Sequence, residues 1–198
     1  MLTTVQAAEA AGSGQLFSVL EAAARAGRAG RAPARGESAV HQRNLFFREP
    51  QHFQWLEQYV QELRQHRPGP IRVWSAACST GEEPYTIAMV LADTLGLAGN
   101  WKLYATDINT RVLAMARRGI YTTDRARRTP PHYWQKYFLR GYDEYEGMVR
   151  VMPELARRME FANLNLLSCD KFQQAEFDIV FLRNVLIYFN ESAKLDTG

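Results

Sequence analysis

Four short segments carry the residues whose types and spacing could do chemistry. The first is Ile71-Arg-Val-Trp-Ser-Ala-Ala-Cys-Ser-Thr-Gly-Glu-Glu-Pro84, an apolar run that passes through small residues into a glycine and two adjacent acids. Small residues let a ligand approach the backbone closely. The place just beyond the carboxyl end of a parallel strand is where open α/β sheets bind ligands. The segment has no Gly-x-Gly-x-x-Gly and no lysine after its glycine, so it is neither a dinucleotide fingerprint nor a phosphate loop. Acids where a phosphate would sit argue for a cationic ligand. A structural reading stands beside this one. Ser79 with Glu82, or Thr80 with Glu83, has capping-box spacing, and acids in a first helical turn suit the helix dipole. Capping accounts for one glutamate, not for two in a row.

The second segment, Leu103-Tyr-Ala-Thr-Asp-Ile-Asn109, ends a second strand in an acid. An acid there accepts ribose hydroxyls in nucleoside-binding folds, or else caps the following helix. The third, Phe161-Ala-Asn-Leu-Asn-Leu-Leu167, offers a side-chain amide to read an adenine edge and a leucine to pack on its face, or simply an Asn-containing turn. The fourth, Phe177-Asp-Ile-Val-Phe-Leu-Arg-Asn-Val-Leu-Ile-Tyr-Phe189, delivers Arg183 and Asn184 from a buried strand, with Tyr188 about one turn later.

The surrounding pattern supplies the elements that must hold these residues. Pro50 suits the first turn of a helix whose Phe53, Leu56, Val60 and Leu63 recur at helical spacing up to His66. Strands are expected at Ile71–Ala76, Lys102–Thr106, Met159–Ala162 and Phe177–Leu182, and helices at Pro84–Leu95 and Thr110–Arg118. Such alternation predicts a parallel sheet with crossover helices. Between Tyr133 and Pro153, Phe138–Arg140 and Met148–Met152 read as an antiparallel pair, an inserted β element at about 133–153. Residues 1–43 differ: Ala22 to Gly36 holds only Ala, Arg, Gly and Pro, which predicts a short helix around Leu16–Ala26 followed by a linker.

Composition bounds the possibilities. With 198 residues, 46% of them hydrophobic and 23% charged, the chain is of globular type. No apolar run is long enough to span a membrane, and no signal pattern opens the sequence, so a cytoplasmic protein is expected. Cys78 and Cys169 are too few and too far apart for a disulfide scaffold or a zinc module, and His41, His52, His66 and His132 show no pairing pattern. No metal is expected. The net charge of +3 is unevenly spread: from Arg111 to Arg140 eight basic residues stand against Asp124 alone. Such a belt suits an acidic partner surface, or is only a solvated face.

Taken together and in order, the motifs resemble the chemotaxis-receptor methyltransferases of the CheR type. The resemblance rests on Asn44-Leu-Phe-Phe-Arg-Glu49, Trp74-Ser-Ala-Ala-Cys-Ser-Thr-Gly-Glu-Glu-Pro-Tyr85, Ala105-Thr-Asp-Ile-Asn109, Gly119-Ile-Tyr121, Asn165-Leu-Leu167 and Arg183-Asn-Val-Leu-Ile-Tyr-Phe189, over about residues 42–190. It implies a class I S-adenosylmethionine-dependent methyltransferase sheet (Rossmann-like α/β) over 44–198, with a small inserted β subdomain and a reduced N-terminal helical segment over 1–43. The implied reaction is methyl-ester formation on glutamate side chains of the cytoplasmic part of chemotaxis receptors, by an enzyme that is a monomer when complete. By resemblance Arg48 lies near the methyl group and the acceptor carboxylate, and Tyr188 near the acceptor. Glu83 contacts the methionine ammonium, Asp107 the ribose diol, and Asn165 with Leu166 the adenine. Arg183 and Asn184 line the methionine side. The family's cofactor-contacting Asn and Thr before Arg48 are replaced by Gln42 and Asn44. In some members the β element docks a receptor peptide.

The chemistry is consistent with this resemblance. A glutamate carboxylate, with a pKa of about 4.3, is already a nucleophile at neutral pH, so no general base is needed. Two other readings compete. A nucleic-acid methyltransferase would use the basic belt, but the fourth segment reads Arg-Asn-Val-Leu-Ile-Tyr rather than the Asn/Asp-Pro-Pro-Tyr of base amino methylation. A methyltransferase-like module would bind without turnover. The chain stops at Gly198, soon after the fourth parallel strand, whereas family members continue with further strands. An exposed sheet edge, and a marginal or aggregation-prone isolated chain, are therefore expected.

Overall fold

The structure, a computed structural model, describes residues 5–7, 44–166 and 177–182. Its main sheet contains β1 (Val5–Ala7), β2 (Ile71–Ala76), β3 (Trp101–Asp107), β7 (Met159–Asn163) and β8 (Ile179–Leu182), in the order β1-β8-β2-β3-β7. The last four are mutually parallel. All but one residue of β2 and all of β8 are buried, as expected for strands covered on both faces. From β2 the chain moves outward through β3 to β7, then returns to place β8 on the other side of β2. The strand order therefore reverses at β2, the switch point at which open α/β sheets form a crevice. Register aligns the carboxyl ends: Ala76 stands opposite both Thr106 and Leu182, and Asp107 opposite Asn163.

Helix α1 (Gln51–His66) buries Phe53, Leu56 and Val60, one stripe at helical spacing, and packs on α2 (Glu82–Leu95). Helix α2 is buried almost continuously from Pro84 to Ala92, because α1 covers the side that the sheet does not. Helix α3 (Thr110–Arg118) is capped by Asn109, whose side chain accepts from the Arg111 N–H at 2.9 Å, and it ends at Gly119 in the left-handed conformation.

A second, antiparallel sheet contains β4 (Ile120–Thr122), β5 (Phe138–Arg140) and β6 (Met148–Val151), in the order β4-β6-β5. Helices α4 (Thr123–Ala126) and α5 (Pro131–Tyr137) fill the connection from β4 to β5, and α6 (Pro153–Ala156) follows β6. The expected antiparallel pair is present, but its third partner comes from Ile120–Thr122, before residue 133. Three residues between Gly119 and α4 are too short a run to show alternation.

Three more expectations change. The helix expected from Pro84 begins two residues earlier, at Glu82, and the strand expected from Phe177 begins at Ile179. The side of β8 expected to be an open edge is paired with β1, Val5 opposite Phe181 and Ala7 opposite Ile179. An antiparallel strand satisfies that row of backbone groups as well as a parallel one would. The helix and linker expected within residues 8–43 lie outside the described residues. No helix among the described residues is long and apolar enough to cross a membrane.

The join between the two sheets is tight at Gly81, the N-cap of α2, where φ is 97°. A Cβ there would lie 2.7 Å from Tyr121 Oη and 2.9 Å from Ala116 Cβ. Gly81→Ala therefore combines a left-handed backbone with overpacking. It is expected to destabilise the fold by about 2–4 kcal/mol, read as a lowered urea midpoint.

Candidate functional site

The turn after β2 is the centre of the site. Cys78 N–H donates to Thr106 C=O at 2.8 Å, which extends the β2–β3 ladder past the strand end. Ala77 and Ser79 then take positive φ values of 57° and 50°. Next, Ser79 N–H donates to Asp107 Oδ2 at 2.8 Å, while Asn109 N–H donates to Oδ1 at 2.8 Å. Asp107 is therefore not the helix cap that sequence reasoning held open; Asn109 is. Two backbone donors fix its carboxylate, and each oxygen of an ionised carboxylate retains a further lone pair. The side chain is half-buried at the crevice, suited to accept a pair of hydroxyls.

The two glutamates have different roles. Glu83, half-buried, accepts from Ser75 Oγ at 2.8 Å and so leans toward β2. Neither capping box forms. Gly81 is the N-cap, without a side-chain bond, so Ser79 and Thr80 stand upstream of the capping position. Thr80 Oγ donates instead to Glu82 Oε2 at 2.7 Å. Cys78, buried beside this turn, has its thiol pushed up by burial and then by the charges of Asp107, Glu83 and Glu82. It stays protonated and is not a nucleophile. Its environment records the negative potential that three carboxylates create at one sheet edge.

Glu82 is 2% exposed and forms an ion pair with Arg125 of α4. Burial raises its pKa, while Arg125 and the Thr80 hydroxyl oppose that shift. Arg125 also donates to Thr80 Oγ at 2.8 Å, and Tyr121 Oη donates to Thr80 C=O at 2.7 Å. Sequence reasoning counted Arg125 only as part of a basic belt, because its partner Thr80 is 45 positions away. The available signal was the glutamate that capping did not need.

The Asn44–Glu49 loop closes over the same turn. Asn44 Nδ2 donates to Ser79 Oγ at 2.9 Å, Phe47 N–H to Thr86 Oγ at 3.2 Å, and Phe46 N–H to Arg125 C=O at 3.4 Å. Phe46 inserts its ring edge-on between Tyr121 and Phe138, with centroids 4.9 and 5.1 Å away. Phe47 and Glu49 take positive φ, at 50° and 59°, on either side of Arg48. Arg48 Nε lies 3.9 Å from Glu49 Oε1, a long contact on a half-buried side chain. At the end of β7, Asn163 Nδ2 ties the strand to the carbonyls of Asp107 and Ile108, at 3.0 and 2.8 Å. Asn165 follows, exposed, and Leu166 packs on the cluster of Trp74, Ala76, Val180 and Leu182.

The structure thus brings Asn44, Glu83 and Asp107 around one crevice edge, with Arg48 in the loop that closes over it, and sets Asn165 and Leu166 after the neighbouring strand. Gln42, Arg183, Asn184 and Tyr188 lie outside the described residues. The basic belt is not one free surface. Arg117 donates to Phe161 C=O, Arg125 pairs with Glu82, Arg127 with Asp124 and Lys136 with Asp93. Among the described residues no group of three His, Cys, Asp or Glu could hold a metal ion.

Arg125→Met removes the charge that opposes the upward shift at Glu82. A carboxyl whose pKa is raised by folding binds its proton more tightly when folded, so its contribution is lost as pH rises through the folded pKa. Thermal unfolding of the variant is expected to show stability falling more steeply than in the parent chain as pH rises above the ordinary carboxylate range.

Residues 42–197 match the family described as CheR methyltransferase, SAM binding domain. A chemotaxis protein methyltransferase of Escherichia coli (strain K12) is 50% identical over 150 residues, covering 75% of this chain and 51% of that protein. Chemotaxis protein methyltransferase 2 of Pseudomonas aeruginosa is 44% identical over 148 residues, covering 74% and 52%. One from Borreliella burgdorferi is 38% identical over 158 residues, covering 75% and 54%. The chain spans about half the length of these curated relatives. With the family model matching most of its length, the chain belongs to the CheR methyltransferase family, in its S-adenosylmethionine-binding domain.

Proposed function

We propose that this chain supplies the cofactor site of an S-adenosylmethionine-dependent O-methyltransferase that esterifies glutamate side chains in the cytoplasmic part of chemotaxis receptors. The observation that carries the reading is the meeting of Asp107, Glu83 and the Arg48 loop at the carboxyl ends of β2 and β3. The donor set fits that cofactor: it is acidic, lined by small residues, and holds a carboxylate fixed by backbone donors with acceptor capacity to spare. When bound, the cofactor supplies an electrophilic methyl group on a sulfonium.

The chain's own residues then have these roles. Asp107 accepts the ribose diol, Glu83 the ammonium, and Asn165 with Leu166 meets the adenine. Gln42, Asn44, Arg183 and Asn184 complete the lining. Arg48 holds the acceptor carboxylate by charge-assisted hydrogen bonds, and Tyr188 stands beside it. Arg48 must position without sequestering, since a carboxylate held too tightly loses nucleophilicity. Alignment and exclusion of water supply the catalysis, at about 7–11 kcal/mol for well-oriented reactants. The carboxylate is already ionised near neutral pH, so no side chain is required to remove a proton. The protein acts as a monomer in the cytoplasm, without a metal.

Isothermal calorimetry on the chain with S-adenosylhomocysteine tests the cofactor site. Binding is expected at one site, and Asp107→Ala should weaken it by at least tenfold; no binding by the parent chain overturns the reading. For turnover, radiolabelled methyl incorporation into receptor glutamates is expected from the protein carrying this domain. Arg48→Ala should abolish it while leaving receptor binding measurable.

A further inference from the structure

We infer that Arg125 and Tyr121, which belong to the small β sheet and its helix α4, are positioning residues for the cofactor-binding turn. The inference rests on the S-adenosylmethionine reading above and adds the residues that keep its site in shape. Thr80 is the point of attachment. Its hydroxyl receives Arg125 at 2.8 Å and donates to Glu82 at 2.7 Å, while its carbonyl receives Tyr121 Oη at 2.7 Å. The preceding residue, Ser79, presents its N–H to Asp107 and its hydroxyl to Asn44. Displacement at Thr80 therefore reaches Asp107 through a single residue.

Arg125 holds a second segment as well, since its carbonyl accepts from Phe46 N–H at 3.4 Å. Both segments it touches are strained. Ala77 and Ser79 in one, and Phe47 and Glu49 in the other, take the left-handed conformation without being glycine. Such residues keep that conformation only when their surroundings over-determine it. Tethers on both segments run from α4 and β4, so the small sheet is a buttress of the crevice. One guanidinium nitrogen of Arg125, Nη2, serves both acceptors, Glu82 and Thr80.

Two variants separate positioning from bulk stability. Arg125→Met with Glu82→Gln removes the buried charge from both partners and leaves an amide oxygen for the Thr80 hydroxyl, but it deletes the Arg125–Thr80 bond. Tyr121→Phe deletes only the hydroxyl that holds the Thr80 carbonyl. Thermal unfolding at pH 7 and calorimetry with S-adenosylhomocysteine are measured on each. Melting within a few degrees of the parent, with the dissociation constant raised about tenfold for the double variant and several-fold for Tyr121→Phe, is the expected result. Parent-like affinity in both variants overturns the inference, as does affinity that falls only in proportion to lost stability. If Tyr121→Phe alone folds, its affinity decides. Absence of binding by the parent chain overturns the cofactor reading itself, and the inference with it, an outcome distinct from parent-like variants.

Discussion

A carboxylate buried at the first turn of α2 requires a cation, and much of the molecule is arranged to provide one. Glu82 is enclosed, and Arg125 of α4 brings its charge to it, beside the Thr80 hydroxyl. Leaving one partner of such a pair alone typically costs about 3–5 kcal/mol. Helix α4 must therefore lie against the start of α2, and β4, directly before it, is carried along. The small antiparallel sheet is fixed to the main sheet by this pairing, by Tyr121 on Thr80, and by the close contact at Gly81.

From that join the crevice follows. The Asn44–Glu49 loop threads between the two sheets, with Phe46 in the aromatic cluster of the small sheet and Phe47 hydrogen-bonded to α2. Arg48, the next residue, stands half-buried at the edge, with its Nε 3.9 Å from Glu49 Oε1. On the other side, the β2 turn bends through left-handed residues so that Ser79 meets Asp107. Strain on both sides of one crevice is affordable only because each loop is anchored at several points.

The electrostatics of the site are those of a trap for positive charge. Glu83 and Asp107 remain half-buried, while Glu82 is neutralised by Arg125. Cys78, in the middle, has its thiol pushed up first by burial and then by these carboxylates, and contributes no thiolate chemistry. A sulfonium and an ammonium suit this potential, and a phosphate does not.

Strong periodicity and unusual local composition made much of this legible in advance. Helix α3 has its expected bounds, Thr110–Arg118, because Asn109 and Gly119 are explicit start and stop signals. The parallel strands and the Glu83 and Asp107 segments were readable from apolar runs ending in acids. Strand β4 was not, since three residues carry no period, and neither was the pairing of β8 with Val5–Ala7, which joins opposite ends of the chain. The sequence by itself determined which residue types stand at the strand ends, since that follows from local order along the chain. Only the tertiary structure decided that Glu82 serves Arg125 rather than a helix cap, that Asn109 rather than Asp107 caps α3, and that half the belt cations are internally engaged. Those outcomes depend on partners tens of residues away, and local spacing holds no record of a distance set by folding.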